Sequence, residues 1–280
     1  VSFDGGSIKL DGNYPTGSNN VALGDTALDD GSLSGGNNTA VGSAALTVNT
    51  SGANNTALGA NALDANTTGS DNASVGWNSL TSNTSGGNNV AVGQSALGLN
   101  TTANNNTAVG YQSLAANTTG TRNSAVGASA GAAVTTGDDN TFMGFNSGND
   151  VTTASDNTGF GSYTLAATTT GANNTAVGTN ALEANTTGAA NTAMGKDALK
   201  ANTEADGGVA IGNRALDANT TGDYNVGIGH DALGANTTGT LNVAVGAIAG
   251  NANTTGQENA FFGYGAGYNN TTGSQNTYVG

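Results

Sequence analysis

The sequence contains no cysteine and only one proline, Pro15. The lack of cysteine excludes a disulfide framework and any thiolate metal site. Charged residues make up only 9% of the 280 residues, and aromatic residues only 5%. Low hydrophobicity can indicate disorder, but disordered chains normally carry a high charge density or much proline, and this chain has neither. The composition therefore favours an ordered chain, but not an ordinary globular fold.

Basic residues are also scarce, since five Lys and Arg residues stand against nineteen Asp and Glu residues, a net charge of −14. That sign disfavours binding to nucleic acid or to an anionic membrane surface. No apolar run approaches the roughly 18 residues that a membrane span needs. We therefore expect no nucleic-acid partner and no membrane insertion.

Catalytic and metal-binding patterns are missing as well. The only histidine, His230, lies at a variable position, and no serine- or cysteine-based triad can be assembled around it. The acidic residues occupy other variable positions, where solvated side chains are expected rather than paired catalytic carboxylates. The calcium-binding repeat G-G-x-G-x-D does not occur. We expect no enzymatic activity, no cofactor and no metal site.

Glycine is abundant, with 46 residues, and it is strictly spaced. The repeated unit is N-T-A-V-G-x-x-A-L-x-A-N-T-T-G-x-N. The glycine that closes each N-T-A-V-G word recurs after 18 residues from Gly24 to Gly42, and after 17 residues at every later step to Gly280. Such a fixed period indicates a solenoid.

The length and composition of the repeated unit indicate which type of solenoid the chain forms. Seventeen residues are too few for a two-helix repeat, which needs about 33, and Asn, Thr, Val and Gly are poor helix formers. We predict an all-β fold, a parallel β-solenoid of about sixteen 17-residue coils, each coil being one repeat. Residues 1–17 depart from the repeat and are predicted to be an N-terminal cap or connector. Residues 18–280 are predicted to form one continuous solenoid, and we expect the repeat to continue beyond Gly280.

Alternation of side chains along a strand assigns the faces of each coil. In N-T-A-V-G, Thr and Val share one face while Asn and Ala share the other. The valine position is always apolar, from Leu23 to Val279, so we expect this face to line the core. The leucine of A-L is expected to form a second core column. Where that position is Gly131, Gly148, Gly250 or Gly267, nearby bulky residues such as Phe142, Phe145, Ile248, Phe261 and Tyr264 predict local repacking.

The alanine position of N-T-A-V-G would then point outward, and it holds a small residue in most repeats. A column of small residues on an outer face suggests that another surface packs closely against it. We therefore expect self-association through Ala40, Ala57, Ala91, Ala108, Ala125, Ala176, Ala193 and Ala244.

Two further sets of residues recur along the chain. The asparagines that open each unit and those that precede T-T-G are expected to form structural ladders between coils rather than a ligand site. The variable position after N-T-A-V-G carries exposed aromatic candidates for contact with a glycan or protein, namely Trp77, Tyr111, Phe145 and Tyr264. Scattered surface aromatics without a ligand are the alternative interpretation.

The repeat NNTAVGYQSLAANTTG at Asn105–Gly120 resembles the repeats of bacterial and phage tail-fibre-domain proteins. It is more distantly similar to the YadA-like head repeats of trimeric autotransporter adhesins. This resemblance implies a left-handed β-roll, commonly a homotrimer, located extracellularly on a cell surface or on a virion fibre. The expected function is a structural or adhesive rod that presents a repetitive surface for attachment.

The resemblance implies that the chain associates with further copies of itself, with a trimer favoured and a filament as the other possibility. It also implies a glycan or protein on a host or prey cell as a partner. The alternative is a monomeric binding solenoid, such as an ice-binding or glycan-binding module. For ice binding, only one threonine of each T-T pair can point outward, which gives a single file of hydroxyls.

Overall fold

The computed structural model describes Ser2–Asp4, Ser7–Lys9 and residues 18–280. Strands β1 (Ser2–Asp4) and β2 (Ser7–Lys9) pair antiparallel, with Phe3 opposite Ile8. The other residues of 1–17 lie outside the described residues, and the predicted role of the segment as a cap or connector stays a prediction.

The chain divides into two compact units, Val1–Thr121 and Arg122–Gly280. The solenoid strands of the first unit have three residues each: β3 (Val21–Leu23), β4 (Thr39–Val41), β5 (Thr56–Leu58), β6 (Ala73–Val75), β7 (Val90–Val92) and β8 (Thr107–Val109). Those of the second unit are β9 (Ser124–Val126), β10 (Thr141–Met143), β11 (Thr158–Phe160), β12 (Thr175–Val177), β13 (Thr192–Met194), β14 (Val209–Ile211), β15 (Val226–Ile228), β16 (Val243–Val245), β17 (Ala260–Phe262) and β18 (Thr277–Val279).

Within each unit, consecutive strands pair in parallel and equivalent residues of successive coils lie side by side. Ala40 pairs with Ala57 in the first unit, and Ala176 pairs with Ala193 in the second. The described residues contain no helix, and hence none that could cross a membrane. The predicted all-β parallel β-solenoid with a 17-residue period is confirmed.

The single 18-residue step lies between β3 and β4. Val21 still pairs with Thr39 and Leu23 with Val41, so the register of the strands is kept. The extra residue is taken up in the following loop, where Asp30 accepts hydrogen bonds from the backbone N–H and the hydroxyl of Ser32. Leu33 of the same loop is buried. The insertion therefore changes a loop and leaves the strand pairing intact.

The prediction of which strand face lines the core is wrong. The alternation was assigned correctly, but the asparagine and alanine positions are inside and the threonine and valine positions are outside. The eight alanines proposed for self-association are fully buried within the single chain: Ala40, Ala57, Ala91, Ala108, Ala125, Ala176, Ala193 and Ala244. In contrast, the valine position is exposed in many coils, with Leu58 at 48% and Phe160 at 55%.

The reason for this inversion is the narrow cross-section of each coil. The leucine of A-L fills the interior, as in Leu63 and Leu182, which have no exposed surface. Gly227 occupies the alanine position of its coil, and a Cβ there would lie 3.1 Å from Cγ of Leu216. The space opposite the leucine column thus accepts a methyl group but no valine, so the larger side chain faces out.

The turns of the coil depend on backbone conformations that side chains resist. Gly59, which closes a T-A-L-G word, has φ of +142°, and a Cβ there would meet the carbonyl oxygen of Gly76 at 2.5 Å. The buried leucines are themselves left-handed, with φ of 54° at Leu63 and 53° at Leu182. A left-handed leucine is costly, so burial of its side chain and the bonds between coils must offset that strain.

Candidate interaction surfaces

In each unit, the outward residues of the solenoid strands, which we call the strand face, combine a largely polar threonine column with an apolar valine column. The valine position contributes the larger side chains, and ten of them are at least one-third exposed: Leu23, Leu58, Val92, Met143, Phe160, Met194, Ile211, Val245, Phe262 and Val279. The threonine position becomes valine in Val21 and Val90, which are also exposed. No outward strand residue is charged. Large apolar side chains exposed at the same position of successive coils are candidates for an interaction site.

The asparagine positions are buried and fully used by the fold. Asn55 is fully buried; its backbone N–H donates to Oδ1 of Asn38 at 2.9 Å, and its Nδ2 donates to the carbonyl of Gly69 at 2.8 Å. Asn66, before T-T-G, donates from Nδ2 to Oδ1 of Asn49 at 2.9 Å and to the Gly69 carbonyl at 3.0 Å. The interpretation of both columns as structural ladders is confirmed.

The threonine pairs of T-T-G have unequal roles. The first threonine bonds to the next coil, as when Oγ1 of Thr67 donates to the carbonyl of Thr84 at 3.0 Å. The second, such as Thr68 or Thr187, is exposed. The outer surface here therefore carries the single file of free-standing hydroxyls that the sequence predicted, and not a flat double array.

The charged residues of the second unit form surface ion pairs. Nε of Arg214 lies 3.1 Å from Oδ2 of Asp217 and 3.3 Å from Oδ1 of Asp231. The hydrogen bond to Asp217, followed by the charge of Asp231, raises the pKa of the Arg214 guanidinium. His230 is exposed beside Asp231, as expected for a surface histidine. No group of three His, Cys, Asp or Glu residues that could hold a metal ion occurs among the described residues.

The four aromatic contact candidates are all exposed, but they are dispersed. Trp77 and Tyr111 lie in the first unit, and Phe145 and Tyr264 in the second. Phe145 alone among them contacts another aromatic ring, because Tyr163 packs against it edge to face with ring centroids 5.3 Å apart. Sequence reasoning missed Tyr163. The signal that could have found it is its position in the repeat. Tyr163 is the equivalent of Asn146 one coil earlier, and most repeats carry a small or polar residue at this position.

A groove of about 380 Å³ opens beside Tyr163. Its floor contains Ala166 and Ala167, and its polar rim includes Asn149, Asp150 and Glu183. The backbone N–H of Asp150 donates to the Ala166 carbonyl at 3.0 Å, and that of Ala167 donates to the Glu183 carbonyl at 2.9 Å. Backbone hydrogen bonds therefore join the three coils that line the groove.

In comparisons with known proteins, no family model matches the chain and no curated protein shows significant similarity to it. The assignment of function therefore rests on the surfaces just described.

Proposed function

We propose that the chain is a structural and adhesive element of an extracellular fibre, on a cell surface or a virion, and that it assembles with copies of itself through the strand face. A trimer is the favoured assembly, and a filament is the other possibility. The rod has no catalytic role in this proposal. Its function is to extend, to resist proteolysis and to present the same surface repeatedly for attachment.

The observation that carries the proposal is the uncharged strand face, with large apolar side chains exposed at its valine position. A monomeric solenoid has no need to place Leu58, Phe160 and Met194 on its surface, each about half exposed. Burial of such area would stabilise an assembly by about 25 cal/mol per Å². No charged residue interrupts this surface.

The net charge of −14 and the buried asparagine ladders support the same proposal. Like charge keeps separate rods soluble and leaves the uncharged strand face as the preferred surface for contact. Within each unit, the ladders couple successive coils through buried hydrogen bonds, which suits an element that must resist unfolding and proteases.

The test is the molar mass of the 26.9 kDa chain by light scattering coupled to size exclusion. We expect three times the monomer mass for a trimer, or heterogeneous large species for a filament. Leu58→Lys with Met194→Lys should reduce the mass to that of the monomer while the circular dichroism spectrum is retained, because both side chains are exposed in the single chain.

A matched control places lysine at an equally exposed residue outside the strand face. Tyr111, at 49% exposure, serves in the first unit, and Tyr111→Lys should leave the assembly unchanged. A wild-type chain that is monomeric at all concentrations would overturn the proposal and favour a monomeric binding module.

A further inference from the structure

The groove beside Tyr163 exists because two consecutive alanines lie between longer polar residues. Ala166 follows Asn149 by one coil and precedes Glu183 by one coil, and Ala167 follows Asp150 in the same way. Neighbouring parallel strands are about 4.8 Å apart, so Asn149 and Glu183 are separated by about 10 Å along the stack. The gap between them is lined by the two alanines and has polar residues at its ends.

Tyr163 forms a wall of this groove and is held in place on its other side. Its backbone N–H donates to the Phe145 carbonyl at 3.0 Å, and the two rings meet at 84°. Tyr163 has a left-handed backbone, with φ of 58°, where Asn61, Asn78 and Asn180 occupy the equivalent position of other coils. A tyrosine is a poor choice for that conformation, and its ring is 39% exposed, so core packing does not account for it.

The carboxylates of the rim can accept more hydrogen bonds than they do within the chain. Oδ1 of Asp150 accepts a hydrogen bond from Nδ2 of Asn149 at 2.6 Å, and the second oxygen of a carboxylate offers further acceptor capacity. Glu183 is balanced by Lys200, whose Nζ lies 3.5 Å from Oε2. The rim can thus accept hydrogen bonds from hydroxyl groups at both ends, and Lys200 reduces the negative charge at one of them.

From this combination we infer that the groove binds a neutral pyranose ring of a glycan. The C–H face of a sugar packs against an aromatic ring because the ring face carries negative partial charge, and its hydroxyls donate to the carboxylates of Asp150 and Glu183. An anionic sugar is disfavoured by both acids and by the net charge of −14. A purely apolar ligand would leave the rim acceptors unpaired.

The site is independent of self-association because all its residues lie in neighbouring coils of one chain. It therefore goes beyond the proposed fibre function, and the two can fail separately. If both hold, an oligomer carries one site per chain, and binding to a polysaccharide surface becomes multivalent.

The experiment uses the full chain, with cellotriose, maltotriose and tri-N-acetylchitotriose as probes and 3′-sialyllactose as the anionic comparison. Saturation-transfer NMR titrations would measure binding of each. We expect at least one neutral trisaccharide to bind saturably, with an affinity in the range of weak protein–glycan contacts, and 3′-sialyllactose to bind more weakly. Tyr163→Asn should weaken the binding at least about tenfold, as for an aromatic anchor residue.

Tyr224→Asn is the matched control. Tyr224 is also left-handed, with φ of 56°, and exposed, and Asn54 and Asn173 occupy its equivalent position in other coils. Both substitutions therefore install the residue that the backbone prefers, and only Tyr163→Asn changes the groove. The inference is overturned if none of the neutral probes binds at millimolar concentration, or if Tyr163→Asn binds them as tightly as the unaltered chain.

Discussion

The ring of Phe142 occupies the space that a leucine would take at Gly148. Phe142 stands at the alanine position of its coil and is fully buried, while Gly148 stands at the leucine position. A Cβ on Gly148 would lie 2.5 Å from Cδ1 of Phe142. A bulky residue at one position is thus matched by a glycine at the other, which shows that the two positions share one core.

The same exchange occurs at Phe261, with glycine at the leucine position of its own coil, Gly267, and of the preceding coil, Gly250. A Cβ on Gly250 would lie 2.6 Å from Cδ2 of Phe261, and one on Gly267 would also contact this ring. The local repacking predicted from the sequence is therefore confirmed for Phe142 and Phe261. It is wrong for Phe145 and Tyr264, which are exposed and fill no core space.

This compensation yields the first prediction. Phe142→Ala should lower the free energy of unfolding by about 3–5 kcal/mol, because it removes a buried ring and leaves a cavity in a narrow interior. The variant with Phe142→Ala, Gly131→Leu and Gly148→Leu restores the common pattern of the repeat and should recover much of that loss. Urea unfolding followed by circular dichroism would measure both.

Leucine is acceptable at these glycines because other leucines of the same position are left-handed, as at Leu165 with φ of 53°, close to the 62° of Gly148. Gly148→Leu alone is the control, and it should destabilise the chain because the Phe142 ring already fills the space. If the triple variant were no more stable than Phe142→Ala, the shared-core interpretation would be wrong.

Much of the fold was predictable from the sequence because it depends on period and alternation. The 17-residue spacing defined the coils, and the alternation in N-T-A-V-G grouped Thr with Val correctly. The choice of the inner face failed because hydrophobicity favours valine over asparagine as a core residue. Buried asparagines are stable here only because each amide bonds to the next coil, as in Asn55 and Asn38, and a single repeat does not reveal this.

The candidate surfaces were predicted less well than the fold. The exposed aromatics were found, since their position is variable, but the groove was not. It depends on Ala166 and Ala167 being small in one coil while Asn149 and Glu183 are longer in the adjacent coils. Such a feature comes from differences between repeats, whereas period analysis detects what the repeats have in common.

The inverted faces give a second prediction, at two adjacent residues of β12. Ala176 is fully buried and Val177 is on the strand face. Ala176→Glu should unfold its region, with a loss of more than about 4 kcal/mol, because it places an unpaired charge in the core. Val177→Glu should keep the fold and disrupt assembly only. Circular dichroism and light scattering separate the two effects, and equal effects on the fold would contradict the assignment.

The asparagine ladder gives a third prediction. Asn66→Asp keeps the shape of the side chain but removes the Nδ2 donor that Asn49 and Gly69 accept from. We expect a loss of about 3 kcal/mol or more, because two buried acceptors then face a buried carboxylate. Asn104→Asp is the matched control, since Asn104 is exposed and uses only its Oδ1, which accepts from the N–H of Gly87.

Asp206 and Asp223 naturally perform the role of Asn104 in later coils, where each accepts from a backbone N–H of the preceding coil. Asn104→Asp should therefore leave the urea midpoint nearly unchanged. A similar destabilisation by both variants would mean that added negative charge, rather than the lost donor, weakens the chain.

The ion pair between Arg122 and Asp139 gives a fourth prediction, which concerns pH. Nε and Nη2 of Arg122 donate to Oδ1 and Oδ2 of Asp139 at 2.6 and 2.7 Å. The hydrogen bonding by Arg122 lowers the pKa of Asp139 below its ordinary value of 3.8. Because the folded pKa is depressed, the pair contributes stability above that ordinary value and loses it as the pH falls through the folded pKa.

Asp139→Asn should consequently lower the thermal midpoint slightly at pH 7, and the difference from the unaltered chain should shrink at pH values below 3.8. The effect is small because both side chains are exposed and screened by solvent. Thermal unfolding of the two proteins at neutral and acidic pH provides the comparison, and a difference that grows on acidification would refute the assigned direction.

The left-handed residue before the opening asparagine gives the fifth prediction. Asn54 and Asn173 occupy this position with φ of 60°, whereas Ala190 adopts the same conformation with φ of 58°. Asparagine tolerates this region better than alanine because its short amide can bond locally. Ala190→Asn should therefore stabilise the chain by up to about 1 kcal/mol. The reciprocal change, Asn173→Ala, should destabilise it by a similar amount in urea unfolding. A pair of changes with the same sign would show that contacts of the side chain, rather than backbone conformation, decide stability at this turn.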